Sequence, residues 1–316
     1  MKLLKLVPDQ TNIKFIRLRW LAFALSTLLI VASIALFFAR GLNYGIDFEG
    51  GILIEIKTEQ AVDLGALRTA LNGLGLGAVQ IQQFGEPEDV LIRVQRQEGD
   101  ASAQEAAVNL VKAKLSDIIS GEISYRRVEF VGPKVSGELV RDGILSVTLA
   151  LVAVLLYIWV RFEWQFGLGA VIALFHDVVI TIGMFAITQL EFNLSIIAAL
   201  LTIVGYSLND TVVVYDRIRE NLLKFRKMPI DELLDLSVND TLSRTVTTSF
   251  TTLLALFALF IFGGEVIRGF TAAMIWGIFI GTYSSIFVAA PILLLINPRE
   301  QGGEGASAVE GEPEKV

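Results

Sequence analysis

Six runs of apolar residues, each long enough to cross a lipid bilayer as a helix, constrain this chain more than any other feature. They cover residues 20–39, 142–160, 165–188, 193–214, 245–263 and 269–296. A hydrocarbon core of roughly 30 Å takes ~20 helical residues to span. Inside it only helices or closed barrels satisfy their own backbone hydrogen bonds. With 53% hydrophobic residues over 316 positions and a mean hydropathy of +0.62, the chain is too apolar for a soluble domain of its size. The expected fold is an α-helical membrane protein with six transmembrane helices. The first run leads into a folded segment and carries no small-residue cleavage pattern, so it reads as a retained anchor.

The net charge of −7 hides an uneven distribution. Part of the acid sits in the tail, at Glu300, Glu304, Glu310, Glu312 and Glu314. Bases cluster before the first run (Lys2, Lys5, Lys14, Arg17, Arg19) and between the fourth and fifth (Arg217, Arg219, Lys224, Arg226, Lys227). Positive residues stay on the cytoplasmic side of a membrane, so both termini are expected there. The expected organisation is a cytoplasmic N-terminal segment (1–19), a first span (20–39), an exported domain (40–141) and a five-helix membrane region (142–296). A cytoplasmic loop at 215–244 interrupts that region, and a disordered acidic tail (297–316) ends the chain. The bases flank spans near anionic lipid and are not interleaved with exposed aromatics, so membrane lipid is the expected partner and nucleic acid is not. There is no cysteine, hence no disulfide or thiol chemistry, and the redox compartment is unread.

The exported segment alternates between strand and helix signals. Residues 51–58, with Ile52, Ile54 and Ile56 on one face, predict a strand. Asp63 is placed to cap a helix to about Leu74, and residues 79–84 and 90–94 predict two more strands. Ser102 with Glu105 forms a capping box for a helix to about Ile119, and residues 123–131 predict a last strand. The order β-α-β-β-α-β is that of a ferredoxin-like α+β domain. It holds no histidine, cysteine or phosphate loop. Its use is either to bind a partner subunit or an extended polypeptide at a sheet edge, or to fill space in an assembly. Residues 228–240 predict a short amphipathic surface helix, with Leu233, Leu234 and Leu236 as its apolar side.

Polar residues inside the spans are the candidate site. Asp210 lies in the fourth run, where a carboxylate costs on the order of 2.5–3.5 kcal/mol at a helix centre, and such residues usually serve function. Thr202, Tyr206 and Asn209/Asp210 recur at helical spacing, as do Arg244, Thr248 and Thr251/Thr252 in the fifth. An Asp210–Arg244 contact would hold the carboxylate ionised, and separation would favour taking up a proton. The alternatives are a static pair, or Arg244 reaching to the interface. Asp177, Thr181 and Thr188 align in the third run beside His176, the only histidine. Neighbours on a helix point about 100° apart, so His176 and Asp177 are not expected to face one small site equally. They form either part of a proton relay or a static inter-helix contact. Gly277 and Gly281 predict close helix packing. Nothing implies a metal or a cofactor.

Five segments together carry a resemblance. They are Gly41-Leu-Asn-Tyr-Gly-Ile-Asp-Phe-Glu-Gly-Gly51, Val131-Gly-Pro-Lys-Val-Ser-Gly-Glu-Leu139, Ala173-Leu-Phe-His-Asp177, the run from Gly205 to Asn221 around Asn209-Asp210-Thr211, and Leu242-Ser-Arg-Thr245. With them the chain resembles the SecF family, the smaller membrane subunits of the bacterial SecD–SecF accessory to protein export. Glu49 stands where a small hydroxyl residue is expected, and Ser136 where glycine is. The resemblance implies a six-span half of the resistance–nodulation–division architecture, paired with SecD in the bacterial inner membrane. It implies association with the SecYEG channel, often with YajC, and with a translocating unfolded polypeptide. It implies use of the proton gradient in late translocation and release, with Asp210 and Arg244 on the proton path; the polar residues within the spans add Asn209, Thr248, His176 and Asp177 to the expected path. No covalent step is needed, so the chain is not expected to be an enzyme. One rival reading is a half-transporter of the same architecture exporting a lipid or small molecule, although such exporters usually carry two halves and larger outer domains. Others are an intramembrane protease, for which one histidine and the missing Gly-x-Gly-Asp partner leave no motif, and a scaffold with a vestigial polar site.

Overall fold

The computed structural model describes Pro8 and residues 11–99, 101–161 and 163–296. The expectations for the outermost N-terminal residues and for the acidic tail lie outside the described residues. Along the chain a short 3₁₀ turn (Ile16–Leu18) leads into α1 (Arg19–Arg40), followed by β1 (Asn43–Tyr44), α2 (Ile46–Glu49), β2 (Gly51–Thr58), α3 (Leu64–Asn72), β3 (Val79–Gln83), β4 (Asp89–Val94), α4 (Ala101–Ile118) and β5 (Ile123–Val131). Then come α5 (Pro133–Arg161), α6 (Trp164–Thr188), β6 (Glu191–Phe192), α7 (Leu194–Lys224), α8 (Ile230–Phe262) and α9 (Glu265–Ser284). A π-helical turn (Ser285–Ala289) joins α9 to α10 (Ala290–Ile296). Among the described residues six helical stretches are long and apolar enough to cross a membrane, the sixth running through the π turn. The chain forms two compact units, one of Met1–Leu42, Thr148–Leu190 and Ala198–Val316, the other of Asn43–Val147 and Glu191–Ile197.

The second unit contains a four-stranded antiparallel sheet in the order β3-β4-β2-β5. This is the split βαβ arrangement the sequence predicts. Ile52, Ile54 and Ile56 of β2 join Val90 and Ile92 of β4 against Leu67, Leu71, Val111 and Leu115 of the two helices. Asp63 caps α3, accepting from the backbone N–H of Gly65 (2.8 Å) and Ala66 (3.2 Å). Ser102, expected to cap α4, falls inside its first turn, since the helix begins at Ala101. The opposite face of β2 is not open either. Leu53 and Leu91 are covered by Ile46, Phe84 and Val131. The segment after α1 therefore folds back on the sheet, which periodicity in β2 alone does not reveal.

That segment also grips the start of α7. β1 pairs in parallel with β6, Asn43 opposite Glu191 and Tyr44 opposite Phe192. The Asp47 carboxylate accepts from the Leu194 N–H at 2.9 Å, filling one of the donors a helix start leaves unpaired. Arg93 of β4 pairs with Glu191 at 2.7 Å and donates to Asn43 Oδ1 at 2.8 Å.

In the first unit two sequence expectations are corrected. Residues 215–244 are not a loop: α7 continues to Lys224, α8 begins at Ile230, and only a tight turn ending at Pro229 separates them. The amphipathic helix expected over residues 228–240 is present after Pro229, with Asp231, Glu232 and Asp240 exposed, but as the first part of α8 and not as a short separate helix. Leu233, Leu234 and Val238 are fully buried in the core of this unit. The reason is a partner sequence periodicity does not show, because this first part of α8 receives the segment before the first span. Asn239 accepts from the Ile13 N–H (2.9 Å) and donates to its carbonyl (2.8 Å), and Asp235 accepts from the Ile16 N–H (2.9 Å). The helix that carries the second apolar run, α5, starts ahead of that run, at Pro133. Proline is tolerated in a first helical turn, where its missing N–H has no intrahelical use.

Candidate functional site: polar groups among the membrane helices

Small residues let the helices of the first unit approach closely, and polar side chains meet where they do. A Cβ on Gly183 of α6 would collide with Ser33 of α1, and one on Gly277 of α9 with Ile203 of α7. A Cβ on Gly281 would stand 2.9 Å from the Ser207 Cβ. This is the packing expected of the Gly277/Gly281 pair. About two helical turns from Gly183 and one from Gly281 lies a buried network. His176 Nδ1 is 2.8 Å from Asp177 Oδ1, and its Nε2 is 3.1 Å from Ser26 Oγ of α1. Asp177 Oδ2 accepts from Ser207 of α7 at 2.5 Å and from Ser284 of α9 at 2.8 Å. Ser26 Oγ is 3.1 Å from the Tyr283 hydroxyl, which donates to the Ala22 carbonyl at 3.0 Å. The Tyr283 ring stacks on His176 with centroids 5.9 Å apart. His176 and Asp177 are 1% and 0% exposed.

The expectation that His176 and Asp177 face different surroundings is therefore corrected. The 100° rule describes where Cβ atoms leave the helix; an imidazole is long enough to turn its Nδ1 back to its neighbour's carboxylate. Thr181, expected in the same stripe, donates to the Asp177 carbonyl (2.7 Å), and Thr188 sits exposed as the last residue of α6. The π turn begins immediately after Tyr283 and Ser284. Pro291 follows it, without an N–H for the carbonyl four residues back. Ala289, the last residue of the turn, has its carbonyl bonded by the buried Tyr215 hydroxyl at 3.1 Å.

Asp210 is placed differently. It is 3% exposed, on the inner side of α7, and its Oδ2 has no hydrogen-bond partner. The Tyr206 hydroxyl one turn before it, the Thr245 hydroxyl of α8 and the Trp276 Nε1 of α9 are also buried without a partner. Arg244 is exposed and makes no ion pair with Asp210 among the described residues. It lines a cavity of about 330 Å³ with Val213, Asp216, Arg217, Glu220, Asp240 and Thr241. Arg217 bridges that cavity's walls, pairing with Asp240 at 2.8 Å and Glu220 at 2.7 Å. Asn209, next to Asp210, is exposed on the other side of α7. Thr248 donates to the Arg244 and Thr245 carbonyls of its own helix (3.1 and 3.0 Å). The structure thus assembles His176 and Asp177 into one network, leaves Asp210 unpaired, and puts Arg244, Asn209 and Thr248 outside both. Among the described residues no group of three or more histidines or carboxylates is placed to hold a metal.

Four residues of the network escape sequence reasoning: Ser26, Ser207, Tyr283 and Ser284. Hydroxyls are common in spans and often bond their own helix, so a single serine carries little signal. Only their convergence on His176 and Asp177, Ser207 and Ser284 on the carboxylate and Ser26 with Tyr283 on the imidazole side, marks them, and that needs the fold.

Comparison with known proteins places this arrangement. Residues 110–299 match the family described as protein export membrane protein SecD/SecF, C-terminal, and residues 35–62 match the SecD/SecF GG motif. The protein translocase subunit SecF of Rhodobacter capsulatus is 50% identical, covering 93% of this chain and 91% of its own. That of Rickettsia felis is 46% identical over 94% of this chain and 96% of its own. The crystal structure of SecDF from Thermus thermophilus, a translocon-associated membrane protein, superposes with a TM-score of 0.83 at 37% identity over 92% of this chain. A SecDF structure in the super-membrane-facing form gives 0.68 over 96%. This chain spans 40% and 41% of the length of those SecDF chains. A family match over most of the residues, close relatives along nearly the full length and a shared fold lead to one conclusion: the chain belongs to the SecF family of protein translocase subunits.

Proposed function

We propose that this chain works with SecD as an accessory of the Sec translocase, using the proton motive force to drive late translocation and release of exported proteins. One observation carries the reading: Asp210, a carboxylate buried within a membrane-spanning helix, has an oxygen without a protein partner. A fully satisfied carboxylate is an anchor. An unsatisfied one in low dielectric is costly as an anion and is relieved by taking up a proton. Arg244, at the adjoining cavity, is the cation that would stabilise the ionised form if the two helices moved. Two states of opposite preference are what a proton-driven cycle needs. His176, Asp177, Asn209 and Thr248 complete the proposed polar path.

The grip of the second unit on the start of α7 supports transmission, because α7 is one continuous helix from that grip to Asp210. The outer edges of the sheet, β3 and β5, offer unpaired backbone to an extended, translocating polypeptide. SecYEG and YajC are the proposed neighbours in the bacterial inner membrane. Both termini lie in the cytoplasm by the distribution of bases. The test is a strain whose only copy carries Asp210→Asn. Precursors of exported proteins should accumulate while the subunit still co-purifies with SecD. Normal export from such a strain would refute the reading.

A further inference from the structure

Which atoms of the buried network can donate decides where its protons are. A carbonyl only accepts, so the single Tyr283 O–H points at Ala22. Ser26 then supplies the hydrogen of the Ser26–Tyr283 bond, and its own proton is spent. The remaining contact of Ser26, with His176 Nε2, requires a hydrogen on Nε2. On the other side of the ring, Nδ1 and Asp177 Oδ1 stand 2.8 Å apart. Two bare lone pairs at that distance repel, so one more proton lies between them. Asp177 Oδ2 is occupied by the Ser207 and Ser284 hydroxyls, the latter also 3.1 Å from the Gly281 carbonyl.

We propose that His176 and Asp177 hold one shared proton as an electrically neutral pair with Nε2 protonated, and that giving it up reverses the Ser26–Tyr283 hydrogen-bond chain and releases the Tyr283 hydroxyl from the Ala22 carbonyl. The balance is simple. Four protons occupy Nε2, the Nδ1–Oδ1 bond, Ser26 and Tyr283. When one leaves to water, Nδ1 keeps its hydrogen against an ionised Asp177 and Nε2 becomes an acceptor. Ser26 turns to donate to Nε2, Tyr283 turns to donate to Ser26, and the Ala22 carbonyl loses its tyrosine. The pair changes from neutral to a single negative charge, and the side-chain bond from α9 to the α1 backbone is broken.

Among the described residues no other charged side chain hydrogen-bonds or ion-pairs with His176 or Asp177. The charged residues of α1, Arg19 and Arg40, are at its two ends, and the π turn and α10 contain none. On α9 the charged residues, Glu265 and Arg268, lie in the first turn, far along the helix from Tyr283. Asp210, three residues beyond Ser207 on α7, makes no hydrogen bond or ion pair with the pair among the described residues. The importance of this switch for export rests on the proton-path reading above; the proton count does not.

The chain has one histidine, so ¹⁵N-histidine labelling reports this site alone. Full-length protein, purified through a histidine-free tag and embedded in lipid vesicles, is examined by solid-state NMR. The expected spectrum shows Nε2 bearing hydrogen. A bare Nε2 beside a protonated Nδ1 would overturn the proposal. Tyr283→Phe removes the donor to Ala22 and frees Ser26 to donate to Nε2, so a bare Nε2 signal should then appear. An unchanged ring spectrum in that variant would refute the chain reversal. Neither readout involves export, so failure of the proton-path reading is seen separately.

Discussion

Ser207 illustrates how much a single hydroxyl can decide inside a membrane protein. It bonds Asp177 of α6 from a position on α7 whose Cβ lies against Gly281 of α9. Interhelical hydrogen bonds of this kind contribute about 0.6 kcal/mol on average and at most about 1.7. Ser207→Ala is expected at the upper end, because the carboxylate left behind is buried. Thr202→Ala is the control, since Thr202 is exposed and donates only to the Ala198 carbonyl of its own helix; it should change stability by less than about 0.5 kcal/mol. Equilibrium unfolding of the two variants in mixed micelles measures the difference, and equal effects would contradict the network's importance. At this scale the sequence is partly legible. Asp210 announces itself because a carboxylate is out of place in an apolar run. The His176–Asp177 contact does not, because helical geometry alone points the two residues apart. Ser26 is invisible beforehand for a simpler reason: it comes from a helix 150 residues away in the chain.

Asp47 ties the segment after α1 to the first turn of α7. Asp47→Ala removes the acceptor for the Leu194 N–H, and loss of such a cap costs about 1 kcal/mol. Hydrogen exchange at the first turn of α7 should accelerate in that variant, while exchange in β2 and β4 stays unchanged. Uniform acceleration would mean that Asp47 supports the whole unit and not the helix start. The elements of the exported domain were readable because β2 alternates with period two and Asp63 sits one residue before an apolar helical repeat. The continuity of α7 and α8 was not readable. Arg217, Arg219 and Lys224 look like a loop by charge, yet nothing before Pro229 breaks a helix, and charge sets topology without ending helices. Similarly, Leu233, Leu234 and Leu236 read as the apolar side of a short helix, but the segment around Ile13 and Ile16 that bonds Asp235 and Asn239 on the same turns carries no pattern of its own.

At the scale of the whole molecule the account requires a defined topology. The chain lacks cysteine, so single cysteines report sides cleanly. Gln83→Cys, on exposed β3, should react with a membrane-impermeant maleimide in intact spheroplasts. Lys227→Cys, in the exposed turn between α7 and α8, should react only after permeabilisation. The reverse pattern would invert the proposed orientation. Six apolar runs and clustered bases make the helix count and the expected orientation legible from sequence. The coupling is not legible that way, because it depends on which polar atoms lack partners once the helices have packed. On the proposed reading Asp210 connects the proton gradient to translocation. The most direct test of that connection is the rate of late-stage protein translocation into inverted membrane vesicles, with the gradient imposed or collapsed by a protonophore. The wild-type complex should accelerate several-fold with the gradient, Asp210→Glu should keep part of that response, and Asp210→Asn should translocate at the same slow rate in both conditions. An assembled Asp210→Asn complex that responds to the gradient like wild type would contradict the account.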